Sequence, residues 1–139
     1  MPGRAGARRG DLLVVTGPLG AAGAAFRGGG YVRPPLRLDE GRVLAATAHA
    51  LTDISDGLAV DAAHIAARSA VRIVLDLDAV PLAPGATVED VGFGEDFELL
   101  AAVADPAGAA AIGRVEPGEG VVLLRDGAPY ALPGFEHFS

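Results

Sequence analysis

Asp53-Ile54-Ser55-Asp56-Gly57-Leu58 places two carboxylates and a hydroxyl within four residues, between two apolar segments of different period. Upstream, Leu51 to Ser55 reads as a short strand. Downstream, Leu58, Ala62, Ile65 and Ala66 recur at helical spacing, so a helix is expected from Asp56 to about Arg68 with that face inward. Ser55 suits the N-cap and Asp56 the positive end of the helix dipole. Taken alone, Ser-Asp-Gly at a helix start is a cap and a turn. In a functional reading the same place holds a metal–phosphate complex, because helix N-termini attract anions and paired Asp side chains are hard oxygen ligands for magnesium. A calcium loop begun at Asp53 is excluded, because His64 stands where a bidentate Glu would close it.

A strand–loop–helix unit also sets the fold class of its surroundings. Asp11 to Thr16 and Val71 to Leu77 are apolar runs expected as strands, the second rich in β-branched residues. Phe97 to Val103, Ile112 to Val115 and Val121 to Arg125 are further strands, with a turn at Asp126-Gly127. Short helices are expected over Ala21 to Phe26 and Asp39 to His49, and one or two helical turns between Asp105 and Ala111. Strands and helices mix without strict alternation. The expected fold is therefore α+β, a mixed β-sheet layered with α-helices, in a single domain over residues 1–139.

Composition removes several classes of function. The net charge of −7 and the lack of a basic stripe argue against nucleic acid. All 11 basic residues are arginine, so a Walker-type phosphate loop and a Schiff-base lysine are excluded. Without cysteine there is no disulfide and no thiolate metal site. No apolar run is long enough to cross a bilayer and the Arg-rich start is not a signal peptide, so a cytoplasmic protein without membrane partners is expected. Gly17, Gly20 and Gly23 miss the dinucleotide spacing and suit close helix–sheet packing. Glu98 alternates with apolar neighbours and is expected to face solvent. Asp61 and His64 read as surface groups or as groups standing behind direct ligands, and Asp76 and Asp78 as solvated residues of one strand face.

Seven segments, in order, resemble one family. They are Arg4-Ala-Gly-Ala-Arg-Arg-Gly-Asp11, Val15-Thr-Gly-Pro-Leu-Gly20, Arg33-Pro-Pro-Leu-Arg-Leu38, Asp53-Ile-Ser-Asp-Gly-Leu58, Gly94-Glu-Asp-Phe-Glu-Leu99, Ile112-Gly-Arg-Val115 and Gly134-Phe-Glu-His-Phe138. Together they resemble the C-terminal domain of thiamine-monophosphate kinase, in the aminoimidazole-ribonucleotide-synthetase-like superfamily. The resemblance implies that superfamily's C-terminal fold and transfer of the ATP γ-phosphoryl group to thiamine monophosphate, giving thiamine diphosphate. It implies Asp53 and Asp56 as Mg2+ ligands, Arg4 and Ser55 as ATP contacts, and Glu95 and Phe135 as contacts to the vitamin. No residue of this chain is implied as a general acid, base or nucleophile.

The family carries an N-terminal domain with further Asp clusters, so a partner domain or chain is implied and this chain alone is expected to be inactive. The segments near Gly28-Gly29-Gly30 and over Ala104–Ala111 are short for the family, and Phe93 replaces a usual glycine. Two other readings stand beside the kinase. One is a degenerate, non-catalytic module that binds a nucleotide or thiamine. The other is a selenophosphate-synthetase-like or hydrogenase-maturation protein, against which the Asp53–Leu58 and Gly134–Phe138 segments argue.

Overall fold

The computed structural model describes residues 3–16, 46–82, 86–87, 98–106 and 109–130. Strand β1 (Leu12–Val15) is followed by β2 (Ala50–Asp53), helix α1 (Leu58–Ser69), β3 (Arg72–Asp76), a 3-10 turn (Leu77–Ala79), β4 (Leu99–Val103), β5 (Ala110–Glu116), β6 (Gly120–Arg125) and β7 (Ala128–Pro129). The strands form one sheet in the order β2-β4-β1-β5-β3-β6-β7. Every neighbouring pair is antiparallel except β3 with β6, which is parallel. It follows that β1, β2, β3 and β6 run one way and β4, β5 and β7 the other. The ends of β1 and β2 therefore lie at the same edge of the sheet as the start of β4.

The expected class, a mixed sheet layered with helix, is what forms. The apolar stripe of α1, with Leu58, Ala62, Ile65 and Ala66 buried, packs against β2, β3, β4 and β6. Leu13, Val15, Ile73, Leu75, Leu100 and Leu123 join it in the main core. Burying each such side chain contributes about 1.5–3 kcal/mol. Val14, Leu51, Ala101 and Val103 alternate with these residues and form a smaller cluster on the opposite sheet face.

One irregularity bends the centre of the sheet. The β1–β5 register shifts between Leu13 and Val14, leaving Ile112 as the extra residue of a bulge. At the adjacent Gly113 an added Cβ would lie 2.2 Å from the Val74 carbonyl oxygen, so the β3–β5 approach itself requires glycine. Asp126 (φ 54°) and Gly127 (φ 77°) are both left-handed and join β6 to β7 in the expected tight turn.

Three expectations are corrected. Strand β5 already begins at Ala110, so no helix runs on to Ala111; Ala104 and Asp105 form a bend, Ala109 N–H donates to the Pro106 carbonyl at 2.9 Å, and residues 107–108 lie outside the described residues. Asp78 lies in the 3-10 turn, not on a strand face with Asp76; its amide is held by the Asp76 carboxylate, and its own Oδ2 accepts from Asp126 N–H at 2.8 Å. Glu98 is buried, as set out below. The expected helix over Ala21 to Phe26, most of that over Asp39 to His49, and residues Glu95 and Phe135 lie outside the described residues.

Candidate functional site: the loop between the second strand and the helix

The loop between Asp53 and Gly57 is built around the fully buried side chain of Ile54. Its N–H donates to the Glu98 carbonyl at 2.7 Å, which fastens the loop to the start of β4. Asp53 and Asp56 flank it and are exposed, while Ser55 is half-buried. Gly57 then turns the chain into α1 with φ 121°, a conformation that favours glycine.

Ser55 is not the N-cap. That position is Gly57, and no side chain caps it. Instead the loop before the cap is ordered from inside the helix, because Asp61 Oδ2 reaches back and accepts the N–H groups of Ser55 at 2.9 Å and Asp56 at 3.0 Å. Asp61 is thus a fully buried carboxylate that orders the loop, not a surface residue. Its position was legible: Leu58, Asp61, Ala62 and Ile65 lie on one helical face. Burial pushes its carboxyl above the ordinary 3.8; the two backbone donors and His64 oppose this, and the Asp56 charge adds to it.

Asp61 Oδ1 has no hydrogen-bond partner among the described residues, and neither does the buried Nδ1 of His64. The two atoms face each other at 3.7 Å. Asp56, Asp61 and His64 offer one ligand atom each within 4.8 Å of one another. Asp53 is not part of that cluster. The exposed Asp53 and Asp56 supply hard, accessible carboxylate oxygens on either side of the buried Ile54, a donor chemistry that fits Mg2+.

Two further connections converge on this edge. Arg4 is half-buried and its Nε donates to Thr52 Oγ1 at 3.1 Å, so it sits beside the residue that precedes Asp53. The arm that carries it is tied down by the Ser69 hydroxyl, which donates to the Arg4 carbonyl and accepts from Gly6 and Ala7 N–H. At the end of β1, Thr16 donates its hydroxyl to Glu98 Oε1 at 2.8 Å and accepts from Leu99 N–H at 2.8 Å. Glu98 is 2% exposed, so alternation with apolar neighbours misplaced it: both faces of the sheet are covered here. Sequence reading also missed the His49–Asp11 pair, in which Nδ1 lies 2.8 Å from a buried carboxylate. No local pattern signals it, since 38 residues separate the two.

The structure thus brings Arg4, Asp53, Ser55 and Asp56 to one edge of the sheet. No helix among the described residues is long and apolar enough to cross a membrane. Residues 8–125 match the family described as AIR synthase related protein, C-terminal domain. The chain is 36% identical to the thiamine-monophosphate kinase of Methanospirillum hungatei over 96% of its length, covering 52% of that protein. It is 33% identical to the Aquifex aeolicus thiamine-monophosphate kinase over 98% of its length, covering 54% of it. Among solved structures, AaThiL complexed with AMPPCP and TMP superposes with a TM-score of 0.81 at 34% identity, over 99% of this chain and 54% of that one. Escherichia coli HypE, a hydrogenase maturation protein, shares the fold at 24% identity with a TM-score of 0.74, over 95% of this chain and 52% of that one. The chain therefore spans about half the length of the kinases it matches. With a family match that includes the strand before the loop and the helix after it, this chain belongs to the AIR synthase related proteins as a C-terminal domain.

Proposed function

We propose that this chain is the C-terminal part of a thiamine-monophosphate kinase, and that with an N-terminal domain it transfers the ATP γ-phosphoryl group to thiamine monophosphate, giving thiamine diphosphate in the cytoplasm. The observation that carries the reading is the presentation of Asp53 and Asp56 as exposed carboxylates on a loop that Ile54 and Asp61 hold rigid. The kinase relatives and the AMPPCP and TMP of the neighbouring structure support it.

Two phosphate-bearing anions must meet, so charge neutralisation and alignment are the main tasks of the site. Asp53 and Asp56 would hold Mg2+, which when bound neutralises phosphate oxygens and keeps them in line. Ser55 contacts ATP from the same loop, and Arg4 offers guanidinium donors to it from the position that Thr52 fixes. Glu95 and Phe135, outside the described residues, would be the contacts to the vitamin, since a carboxylate complements a cationic thiazolium and an aromatic ring complements flat rings. None of these groups donates or removes a proton; they bind and orient. The remaining magnesium and nucleotide ligands come from the N-terminal domain, which explains why this chain alone is expected to be inactive.

The test is an assay of thiamine diphosphate formation from ATP and thiamine monophosphate, with and without an added N-terminal half from a relative. Turnover only in the mixture is expected. Robust magnesium- and ATP-dependent turnover by the chain alone would overturn the dependence on a partner. Failure in every mixture, with ATP or thiamine monophosphate still bound, belongs to a non-catalytic module.

A further inference from the structure

We infer that Asp56, Asp61 and His64 form a binding site for a divalent transition-metal ion with mixed carboxylate and imidazole ligation. The inference does not depend on the kinase reading, because it concerns side chains of this chain alone and needs neither nucleotide nor vitamin.

An acidic residue and a histidine three apart on a helix usually form an ion pair, and a charge-assisted hydrogen bond would close to about 2.7–2.9 Å. Here the pair stands open at 3.7 Å, with Asp61 Oδ1 and His64 Nδ1 both buried and without a hydrogen-bond partner among the described residues. The carboxylate is not free to swing across the gap, because its other oxygen is fastened to Ser55 N–H and Asp56 N–H. A buried carboxylate oxygen without a partner is destabilising, because its lost hydration is not replaced. A cation between the two atoms removes that cost.

The spacing suits this. Ligand atoms about 2.0–2.2 Å from one ion lie roughly 3–4 Å apart, which includes the 3.7 Å separation of Asp61 Oδ1 and His64 Nδ1. The third ligand lies within 4.8 Å of the others and belongs to Asp56, an exposed side chain with room to close the remaining gap. His64 is 41% exposed at its side chain, so a small ring movement opens a path for entry. The donor set decides the metal. Mg2+ and Ca2+ take oxygen ligands and keep water, whereas an imidazole nitrogen beside two carboxylates favours Zn2+, Co2+ or Ni2+. Three protein ligands also leave coordination positions open for water or a phosphate oxygen.

The test is titration of the purified 139-residue chain with Co2+ and Zn2+ in the absence of nucleotide, following cobalt absorption bands and binding heat. One ion is expected to bind, with visible bands of nitrogen ligation, and excess Mg2+ is expected not to displace it. His64→Ala, a change at a partly exposed position, is expected to fold normally and weaken binding by about 10–100-fold or more. Asp53→Asn is expected to bind the ion as the unmodified chain does, which separates this site from the carboxylate pair proposed for Mg2+. No saturable binding, unchanged affinity in His64→Ala, or displacement by Mg2+ would each overturn the inference. Asp56 is common to this cluster and to the carboxylate pair proposed for Mg2+, but His64 and Asp53 each belong to one of them, so the His64→Ala and Asp53→Asn titrations distinguish failure of this inference from failure of the kinase reading.

Discussion

Thr16 and Glu98 stand 82 residues apart in the chain yet share a 2.8 Å hydrogen bond at the edge of the sheet. The same hydroxyl accepts the N–H of Leu99, and the Glu98 carbonyl accepts that of Ile54. One side chain thereby joins the end of β1 to the start of β4, whose backbone in turn holds the loop of Asp53 and Asp56.

Thr16→Val keeps the shape and removes the hydroxyl, so Glu98 loses a donor and Leu99 N–H its acceptor. A destabilisation of about 1–3 kcal/mol is expected in urea unfolding, with Thr16→Ser recovering most of it. Equal stability of Thr16→Val and the unmodified chain would mean that the linkage carries no energy.

Asp61 gives a pH dependence whose sign can be stated. Its folded value is raised above 3.8 by burial, so the folded state binds more protons than the unfolded state between the two values. Its contribution to stability is fully present below 3.8 and is lost as pH rises through the folded value. Asp61→Asn keeps an oxygen for the two loop amides but does not ionise. In metal-free buffer, the stability of the unmodified chain minus that of Asp61→Asn is expected to fall as pH rises from 3.8 through the folded value. A difference that is flat or rises with pH would mean that the backbone donors outweigh burial.

The strands and α1 were legible because their hydrophobic periods are strong and unbroken by proline. Asp53, Ser55, Asp56 and Arg4 were singled out by motif, and these are the residues whose backbones local chemistry positions. What stayed hidden depends on tertiary approach. Glu98 alternates like a solvent-facing residue, yet it is buried and accepts from Thr16, a partner far away in sequence. Ser55 carries the chemistry of a cap, but the N-cap falls at Gly57, and the Ser55 and Asp56 amides go to Asp61 on the buried face of the helix. The β1–β5 bulge has no sequence marker except Gly113, whose need is set by a strand 39 positions upstream at Val74.

That need gives a third expectation. A Cβ at Gly113 would meet the Val74 carbonyl oxygen at 2.2 Å and Leu75 Cδ2 at 3.0 Å. Backbone must move, so Gly113→Ala is expected to cost about 3 kcal/mol, at the upper end of overpacking changes. Gly3→Ala is the control, because nothing lies within 4 Å of the added atom. It should change stability by less than about 0.5 kcal/mol. Similar melting of the two variants would mean that β3 and β5 separate easily.

Asp53 separates site chemistry from fold most cleanly. It is exposed at the last position of β2, opposite Leu99, and the backbone bond to β4 next to it is made by Ile54 N–H to the Glu98 carbonyl. The loop after it is fixed independently by Ile54 and by Asp61. Asp53→Asn is therefore expected to leave stability within about 0.5 kcal/mol of the unmodified chain. In the reconstituted kinase it should lower kcat/KM at least roughly 100-fold and raise the Mg2+ needed for half-maximal rate, because asparagine keeps the shape but not the charge that competes for a hydrated cation. Asp56→Asn should lose activity in the same way, and in addition weaken the Co2+ binding that Asp53→Asn leaves intact, since Asp56 alone of the two belongs to the cluster with Asp61 and His64. Titrating magnesium and cobalt separately on both variants checks the division. A near-normal rate in Asp53→Asn, with an unchanged magnesium requirement, would remove that carboxylate from the metal role and leave it an ordinary solvated strand end.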